Sequence, residues 1–115
     1  MTARLTIRFA GPHVSIQDAG RPHLARFGVP QSGAMDRTAL AAANLALGNP
    51  AAAAAIEVSL GGLTLHCTDA PVSFAVAGGG FIVDHAGAKS GAWHLATLHP
   101  GETLTIRPGP WGAWC

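Results

Sequence analysis

The chain has 115 residues and a mass of 11.6 kDa, which is enough for one hydrophobic core and too little for two. Hydrophobic residues make up 49% of the sequence and charged residues only 11%, so the composition excludes a disordered chain. Seven scattered basic residues are nearly balanced by six acidic ones, which argues against a nucleic-acid-binding face and predicts no nucleic-acid partner.

The apolar stretches are too short to cross a membrane. The richest one, residues 40–47, is interrupted by Asn44 and falls short of the roughly 20 residues that a span requires. Near the N-terminus the pattern of a secretory signal is missing as well, because no apolar run follows the first arginines. Cys67 and Cys115 are far apart and form no CxxC motif, which is typical of unpaired thiols in a reducing compartment. We therefore expect a cytoplasmic protein without a membrane partner.

Strict alternation of apolar and polar residues begins near the N-terminus and recurs along most of the chain. This period predicts antiparallel strands that bury one face. Glycine and proline punctuate the runs, for example at Gly61-Gly62 and Pro100-Gly101. About seven short strands predict a single, mainly β domain, either a sandwich or a barrel. The alternating runs are residues 5–9, 56–60, 63–67, 72–76, 81–85, 93–97 and 103–107.

One segment between the first two runs breaks the alternation and predicts an α-helix over residues 36–47. Asp36 is suited to the N-cap, Gly48 to the C-terminal stop, and Pro50 follows beyond it.

The faces of this predicted helix are apolar nearly all round. Leu40 and Leu47 share one stripe, Leu45 lies almost opposite, and most other positions are alanine. Such helices are usually buried on several sides, so we expect a buried helix that lies against the barrel and not on its surface. The alanine run 51–55 predicts either a second short helical turn or a tight connection.

Polar and glycine residues concentrate between the first strand and the helix. Two blocks stand out there, SIQDAGR at residues 15–21 and GVPQSGAMD at residues 28–36. Loops held by a rigid scaffold often carry binding and catalytic groups, so this segment is the candidate site.

These two blocks in this order, followed by Asn44 and by IEV at 56–58, resemble the allophanate hydrolase subunit 2 family. That family also includes the C subunit of 5-oxoprolinase and is known as the biotin-dependent carboxyltransferase family. The resemblance runs from about residue 11 to residue 112 and matches the N-terminal portion of a longer protein. It implies that residues 1–115 form a single domain with a cyclophilin-like antiparallel β-barrel.

The resemblance also implies a function. The chain would be a component of an ATP-dependent 5-oxoprolinase, which converts 5-oxoproline to glutamate, or of an allophanate or urea carboxyltransferase-type complex that acts on small amides. It would be a subunit of a hydrolase and inactive alone. The implied partners are the other subunits, and either further copies of this chain or a protein that supplies the remaining half. Two alternatives stay open: a regulatory protein-binding module that counters an inhibitor of a sensor kinase, and an inactive fragment.

The resemblance implies that ATP or biotin is used, and we expect partner subunits to hold it, because this sequence has no motif by which the chain itself would bind a cofactor. Gly78-Gly79-Gly80 is followed by Phe81 and lacks the Lys-Ser/Thr of a phosphate-binding loop. The single lysine, Lys89, has no flanking methionines of the kind found at biotin attachment sites. No pair of histidines has the spacing of metal ligands, so no metal site is predicted.

Chemistry on small amides needs groups that move protons, donors that polarise a carbonyl, and a cation that holds a carboxylate. The catalytic candidates are Asp18, Asp36 and Glu57. The substrate-binding candidates are Gln17, Arg21, Ser32 and Asn44.

Each candidate also has a purely structural interpretation. Asp18 and Arg21 could pair with each other to fix their loop, and Asp36 could serve only as the helix N-cap. Asn44 could be a satisfied polar group in the core, and Glu57 could simply be solvated, since it lies opposite the apolar face of its predicted strand.

Overall fold

Nine β-strands and one α-helix are present in residues 2–115, the part of the chain that the computed structural model describes. This confirms the predicted mainly β class. Two strands, the second and the seventh, lie outside the predicted runs. The elements in chain order are β1 (Leu5–Ala10), β2 (Ser15–Gln17), a 3₁₀ turn (Ala25–Phe27), α1 (Arg37–Ala46), β3 (Ala55–Glu57), β4 (Leu63–Cys67), β5 (Val72–Val76), β6 (Ile82–His85), β7 (Ala88–Gly91), β8 (His94–Leu98) and β9 (Thr103–Arg107).

The strands form one large antiparallel sheet and two ribbons. The large sheet has the order β1-β4-β9-β6-β7, and the ribbons are β2-β3 and β5-β8. None of these three sheets closes on itself within residues 2–115. The cyclophilin-like barrel therefore remains a prediction from the resemblance.

The core lies on one face of the large sheet, as the alternation predicts. Leu65 of β4 is opposite Leu104 of β9, and Leu63 is opposite Ile106, so these four side chains share a face. All four are buried. Other fully buried side chains complete the core: Phe81, Leu98, Val58, Val83 and Cys67.

A bulge in β1 divides its apolar residues between the two faces of the sheet. Leu5 is opposite Cys67 on the core side, but Phe9 is opposite Thr64 because the register shifts between Ile7 and Phe9. The alternation alone predicts all three apolar residues of this strand on one face. The extra residue at the bulge reverses the face of everything beyond it.

The predicted helix is confirmed, and its burial is narrower than expected. The Asp36 carboxylate accepts a hydrogen bond from the Ala39 backbone N–H at 2.9 Å, and Gly48 adopts the left-handed conformation beyond the last turn. Leu40 is buried against the sheets, whereas Leu45 on the opposite side is 62% exposed, so one face alone is covered. Within the described chain, no helix is long and apolar enough to cross a membrane.

The alanine run after the helix is a tight connection. The Ala53 N–H donates to the Pro50 carbonyl at 3.0 Å and closes a turn that leads directly into β3. Of the two possibilities left by the sequence, the tight connection is therefore confirmed and the second short helical turn is wrong.

A carboxylate joins β6 to the turn between β8 and β9. Glu102 Oε2 accepts a hydrogen bond from the His99 backbone N–H at 2.8 Å and lies 3.1 Å from His85 Nε2. The backbone hydrogen bond from His99, followed by the contact with His85, lowers the pKa of Glu102 below its ordinary value of 4.5.

This lowered pKa predicts acid sensitivity of a definite sign. Because the native state favours the ionised carboxylate, the network stabilises the fold fully above the ordinary pKa of 4.5, and this contribution is lost as the pH falls through the lowered value. We expect the wild-type melting temperature to fall more steeply below pH 4.5 than that of Glu102→Gln. Parallel curves of melting temperature against pH for the two proteins would contradict this.

Candidate functional site

The loop that carries both sequence blocks is closed at its base by backbone hydrogen bonds. The Asp18 carbonyl accepts from the Ala34 N–H at 2.9 Å, and the Arg21 N–H donates to the Gln31 carbonyl at 2.7 Å. The side chain of Asp18 accepts from the Gly20 N–H at 2.8 Å, which fixes the turn. Arg21 is exposed and does not pair with Asp18; the ion pairs within residues 2–115 are Arg4–Asp69 and His85–Glu102.

Two glycines let the two halves of this loop approach each other closely. Gly20 and Gly33 both have positive φ, +89° and +86°. A Cβ added at Gly33 would lie 2.7 Å from the Gly20 nitrogen, and one added at Gly20 would lie 2.7 Å from the Ser32 carbonyl oxygen. Glycine is required at both positions by conformation and by space.

Arg37 holds the loop against the start of α1, and the sequence interpretation missed it. Its guanidinium donates to the Ala19 carbonyl through Nη1 and to the Ser32 carbonyl through Nη2, both at 2.6 Å. A cation in the first helical turn opposes the helix dipole, so an arginine there points to a partner elsewhere in the fold. That signal was available in the sequence.

Glu57 connects β3 to the segment that precedes the helix. Its Oε2 accepts a hydrogen bond from the Met35 backbone N–H at 2.7 Å. The neighbouring Ile56 is exposed, whereas Glu57 is half-buried. The strand ends there, because Val58 pairs with Cys115 and the turn at Ser59–Gly62 follows. The predicted continuation of this strand to residue 60 is therefore wrong.

Four of the seven predicted site residues line one cavity of about 260 Å³. It lies between α1, the β2-β3 ribbon and the core face of the large sheet. Its floor is apolar, and its polar lining includes the four candidates Gln17, Asp36, Asn44 and Glu57. The other three candidates, Asp18, Arg21 and Ser32, belong to the adjoining loop and do not line the cavity.

The roles open to Asp36 and Asn44 are limited by the hydrogen bonds they make. Asp36 caps the helix, as described above. Asn44 is buried, and its Nδ2 donates to the carbonyls of Ala51 and Ala53 at 3.2 and 2.8 Å. Since its amide hydrogens are used, Asn44 can offer the cavity an acceptor, Oδ1, and not the donor that the sequence interpretation assumed.

These hydrogen bonds predict a structural effect of Asn44 substitutions. Asn44→Ala is expected to lower the free energy of unfolding by about 2 kcal/mol, because two carbonyls lose their donor and a buried side chain is removed. Asn44→Asp preserves the shape without the donors and should destabilise at least as much at neutral pH. The exposed Asn49→Ala should stay within about 0.5 kcal/mol. Urea unfolding checks this, and a fully stable Asn44→Asp protein would contradict it.

The remaining lining groups define what the cavity can do. Gln17 is half-buried and donates through Nε2 to the Ser15 hydroxyl at 3.1 Å, so it has one further amide hydrogen to offer. Burial raises the pKa of the Cys115 thiol to about 12, so this lining residue is protonated at neutral pH and is a poor nucleophile. No group of three or more potential metal ligands occurs within residues 2–115. The site thus combines one half-buried carboxylate, amide groups and an apolar floor, which suits a small polar ligand.

A sequence profile described as "Carboxyltransferase domain, subdomain A and B" matches residues 27–115. The chain belongs to this carboxyltransferase-domain family.

The chain is also similar in sequence to three characterised proteins. The chain is 36% identical over 104 residues to the C subunit of the Escherichia coli K12 5-oxoprolinase, a match that covers 90% of this chain and 33% of that protein. It is 56% identical over 52 residues to the protein of the same name from Haemophilus influenzae, covering 45% of this chain and 17% of the relative. It is 35% identical over 105 residues to the urea amidolyase of Saccharomyces cerevisiae, covering 89% of this chain and 6% of the relative. The chain spans a third or less of each of these proteins.

Solved structures share the fold. The crystal structure of TTHA0988 superposes with a TM-score of 0.87 at 28% identity, covering 96% of this chain and 22% of that one. The crystal structure of the K. lactis urea amidolyase gives the same TM-score and identity, covering 96% of this chain and 7% of that one.

Proposed function

We propose that this chain is a component of a 5-oxoprolinase or a urea or allophanate carboxyltransferase-type assembly, and that its cavity holds a small amide substrate. The observation that carries the proposal is the half-buried Glu57 carboxylate at a cavity that also presents the amides of Gln17 and Asn44 over an apolar floor. Membership of the carboxyltransferase-domain family supports the choice of substrate class. The matched relatives include a protein named as a subunit, which supports partner subunits.

Within this proposal the candidate residues take distinct roles. Glu57 accepts or returns a proton, while the Met35 N–H holds one of its oxygens in place. The free Gln17 amide hydrogen polarises the substrate carbonyl, and Asn44 Oδ1 accepts from a substrate N–H. Asp18 acts as a positioning residue because it lies outside the cavity and fixes the loop turn, and Asp36 does so because its carboxylate caps α1. Ser32 likewise contributes its backbone carbonyl to the Arg37 anchor.

ATP or biotin belongs, in this proposal, to partner subunits. Gly78 and Gly79 are buried against the backbone of Trp114 and Gly112, and this close packing of the triglycine segment supports a binding site for ATP on another subunit. The chain alone should therefore lack ATP-dependent turnover.

A reconstitution with alternative substrates tests the proposal. The full chain is combined with the partner subunits of a 5-oxoprolinase from the same genome, and 5-oxoproline, allophanate or urea is supplied with ATP. We expect substrate-dependent product release that requires both this chain and the partners. Turnover by the partners at the same rate without this chain would overturn the proposal.

Arg21 gives a separate prediction, because it is exposed and carries no ion pair in the described chain. Arg21→Ala should change the free energy of unfolding by less than about 0.5 kcal/mol, yet weaken carboxylate-substrate binding by the assembly about tenfold if Arg21 clamps that carboxylate. Arg107→Ala, also exposed, is the matched control and should change neither quantity. Urea unfolding and KM measurements are compared. Equal losses of stability and affinity would show that Arg21 has a structural role only.

A further inference from the structure

The guanidinium of Arg37 joins both halves of the site loop from the first residue of α1. Its Nη1 donates to the Ala19 carbonyl and its Nη2 to the Ser32 carbonyl, both at 2.6 Å. Ala19 belongs to the first sequence block and Ser32 to the second. Because a guanidinium is planar and its donors have a fixed spacing, this one side chain sets the distance between the two blocks.

The clamped loop leads directly to the group that holds Glu57. Next to the two carbonyls that Arg37 binds, the Ala34 N–H donates to the Asp18 carbonyl at 2.9 Å. The following residue, Met35, donates its N–H to Glu57 Oε2 at 2.7 Å. The Met35 side chain is 66% exposed, so the position of its N–H depends on the backbone contacts of the loop rather than on side-chain packing.

We propose that Arg37 is a positioning residue for Glu57, and that it acts through the loop that presents the Met35 N–H to the Glu57 carboxylate. This inference rests on the proposed function, in which Glu57 transfers a proton. Arg37 lies outside the cavity lining, so it does not touch the substrate. Misplacing a group that transfers a proton lowers the rate of the chemical step, and we therefore expect Arg37 to affect kcat.

The amides on the substrate-binding side of the cavity are held by other contacts. Gln17 pairs with Ala55 across the β2-β3 ribbon. Asn44 donates to the carbonyls of Ala51 and Ala53 after the helix. Neither set of contacts includes the carbonyls that Arg37 binds, so a loosened loop should release Glu57 and leave these amides in place. Substrate binding, and with it KM, should change little.

Amide hydrogen exchange of the full chain tests the structural step. Arg37→Ala should speed exchange of the Ala34 and Met35 amides at least about tenfold, while the amides of β4 stay unchanged. Arg26→Ala is the matched control, because Arg26 is an exposed arginine of the same loop that lies over the Phe27 ring at 4.7 Å. The control should leave all these amides unchanged. Unaltered exchange in Arg37→Ala would overturn the inference and leave the proposed function untouched.

Kinetics of the reconstituted assembly with 5-oxoproline and ATP test the catalytic step. Arg37→Ala should lower kcat about tenfold and keep KM within about twofold, whereas Arg26→Ala should change neither. In the background of Glu57→Gln, Arg37→Ala should cause less than about twofold further loss of kcat, because both substitutions act on one group. Losses that multiply in the double variant, or a rise in KM as large as the fall in kcat, would overturn the inference.

A failure of the proposed function gives a different result from a failure of this inference. If Glu57→Gln keeps its kcat in an intact assembly, the proton transfer assigned to Glu57 is wrong, whatever the exchange rates of the loop amides. If Glu57→Gln is impaired and Arg37→Ala is not, the proposed function is retained and the inference about Arg37 is overturned.

Discussion

Gly33→Ala is expected to lower the free energy of unfolding by about 3 kcal/mol or more, because it combines two penalties. Residue 33 has a φ of +86°, where an L side chain is strained. The added Cβ would also lie 2.7 Å from the Gly20 nitrogen and 2.8 Å from the Asp18 carbonyl oxygen, both of which belong to backbone that cannot move aside cheaply.

Gly28→Ala is the matched control for that substitution. Gly28 lies in the same loop with a φ of +79°, but an added Cβ there meets nothing within 4 Å. Gly28→Ala should lower the free energy of unfolding only by the conformational penalty of positive φ, about 1 kcal/mol. Urea unfolding of both variants separates the cost of backbone strain at positive φ from the cost of the steric overlap at residue 33. Equal losses would mean that the two halves of the loop are not in contact near residue 33.

The parts of the fold that the sequence could predict are those governed by a single local rule. β4 and β9 alternate strictly and bury one face, and α1 has a capping aspartate and a terminating glycine. β2 and β7 could not be predicted in this way. β2 has only three residues and is defined by pairing with β3, and β7 has no alternation and follows the turn at Ala86-Gly87. Strands this short depend on tertiary partners more than on pattern.

The motifs locate the candidate site, but they do not define the roles of its residues. The two sequence blocks do lie together, joined by one backbone hydrogen bond between residues 18 and 34 and another between residues 21 and 31. Whether a carboxylate is free or bound to backbone depends on contacts that spacing does not report, as Asp18 shows. Alternation through residue 60 favours a solvated Glu57, because it places this residue opposite the apolar face of a longer strand. The strand ends at residue 57, and its carboxylate turns to the Met35 N–H.

In α1 and β1, the sequence pattern does not predict which apolar side chains are buried. Leu45 is a strong apolar residue on a helix whose composition predicts burial, yet no element covers its face within the described chain. Ile7 is similarly exposed on a strand with perfect alternation. Periodicity predicts which residues share a face, whereas the cover for that face depends on the other elements present.

Glu57 is the residue on which the proposed chemistry depends most directly, because the proposal assigns it the proton transfer to and from the substrate. Glu57→Gln keeps an oxygen that can accept from the Met35 N–H, so the fold should be retained, but the amide cannot take up a proton at neutral pH. Asp69→Asn, which alters only an exposed pair with Arg4, is the control.

The measurement is ATP-dependent glutamate release from 5-oxoproline by the reconstituted assembly, with assembly verified by light scattering. We predict that Glu57→Gln lowers kcat at least about a hundredfold while the control stays within about twofold. An intact assembly in which Glu57→Gln keeps its kcat within about twofold of the wild-type value would contradict the proposed role of Glu57.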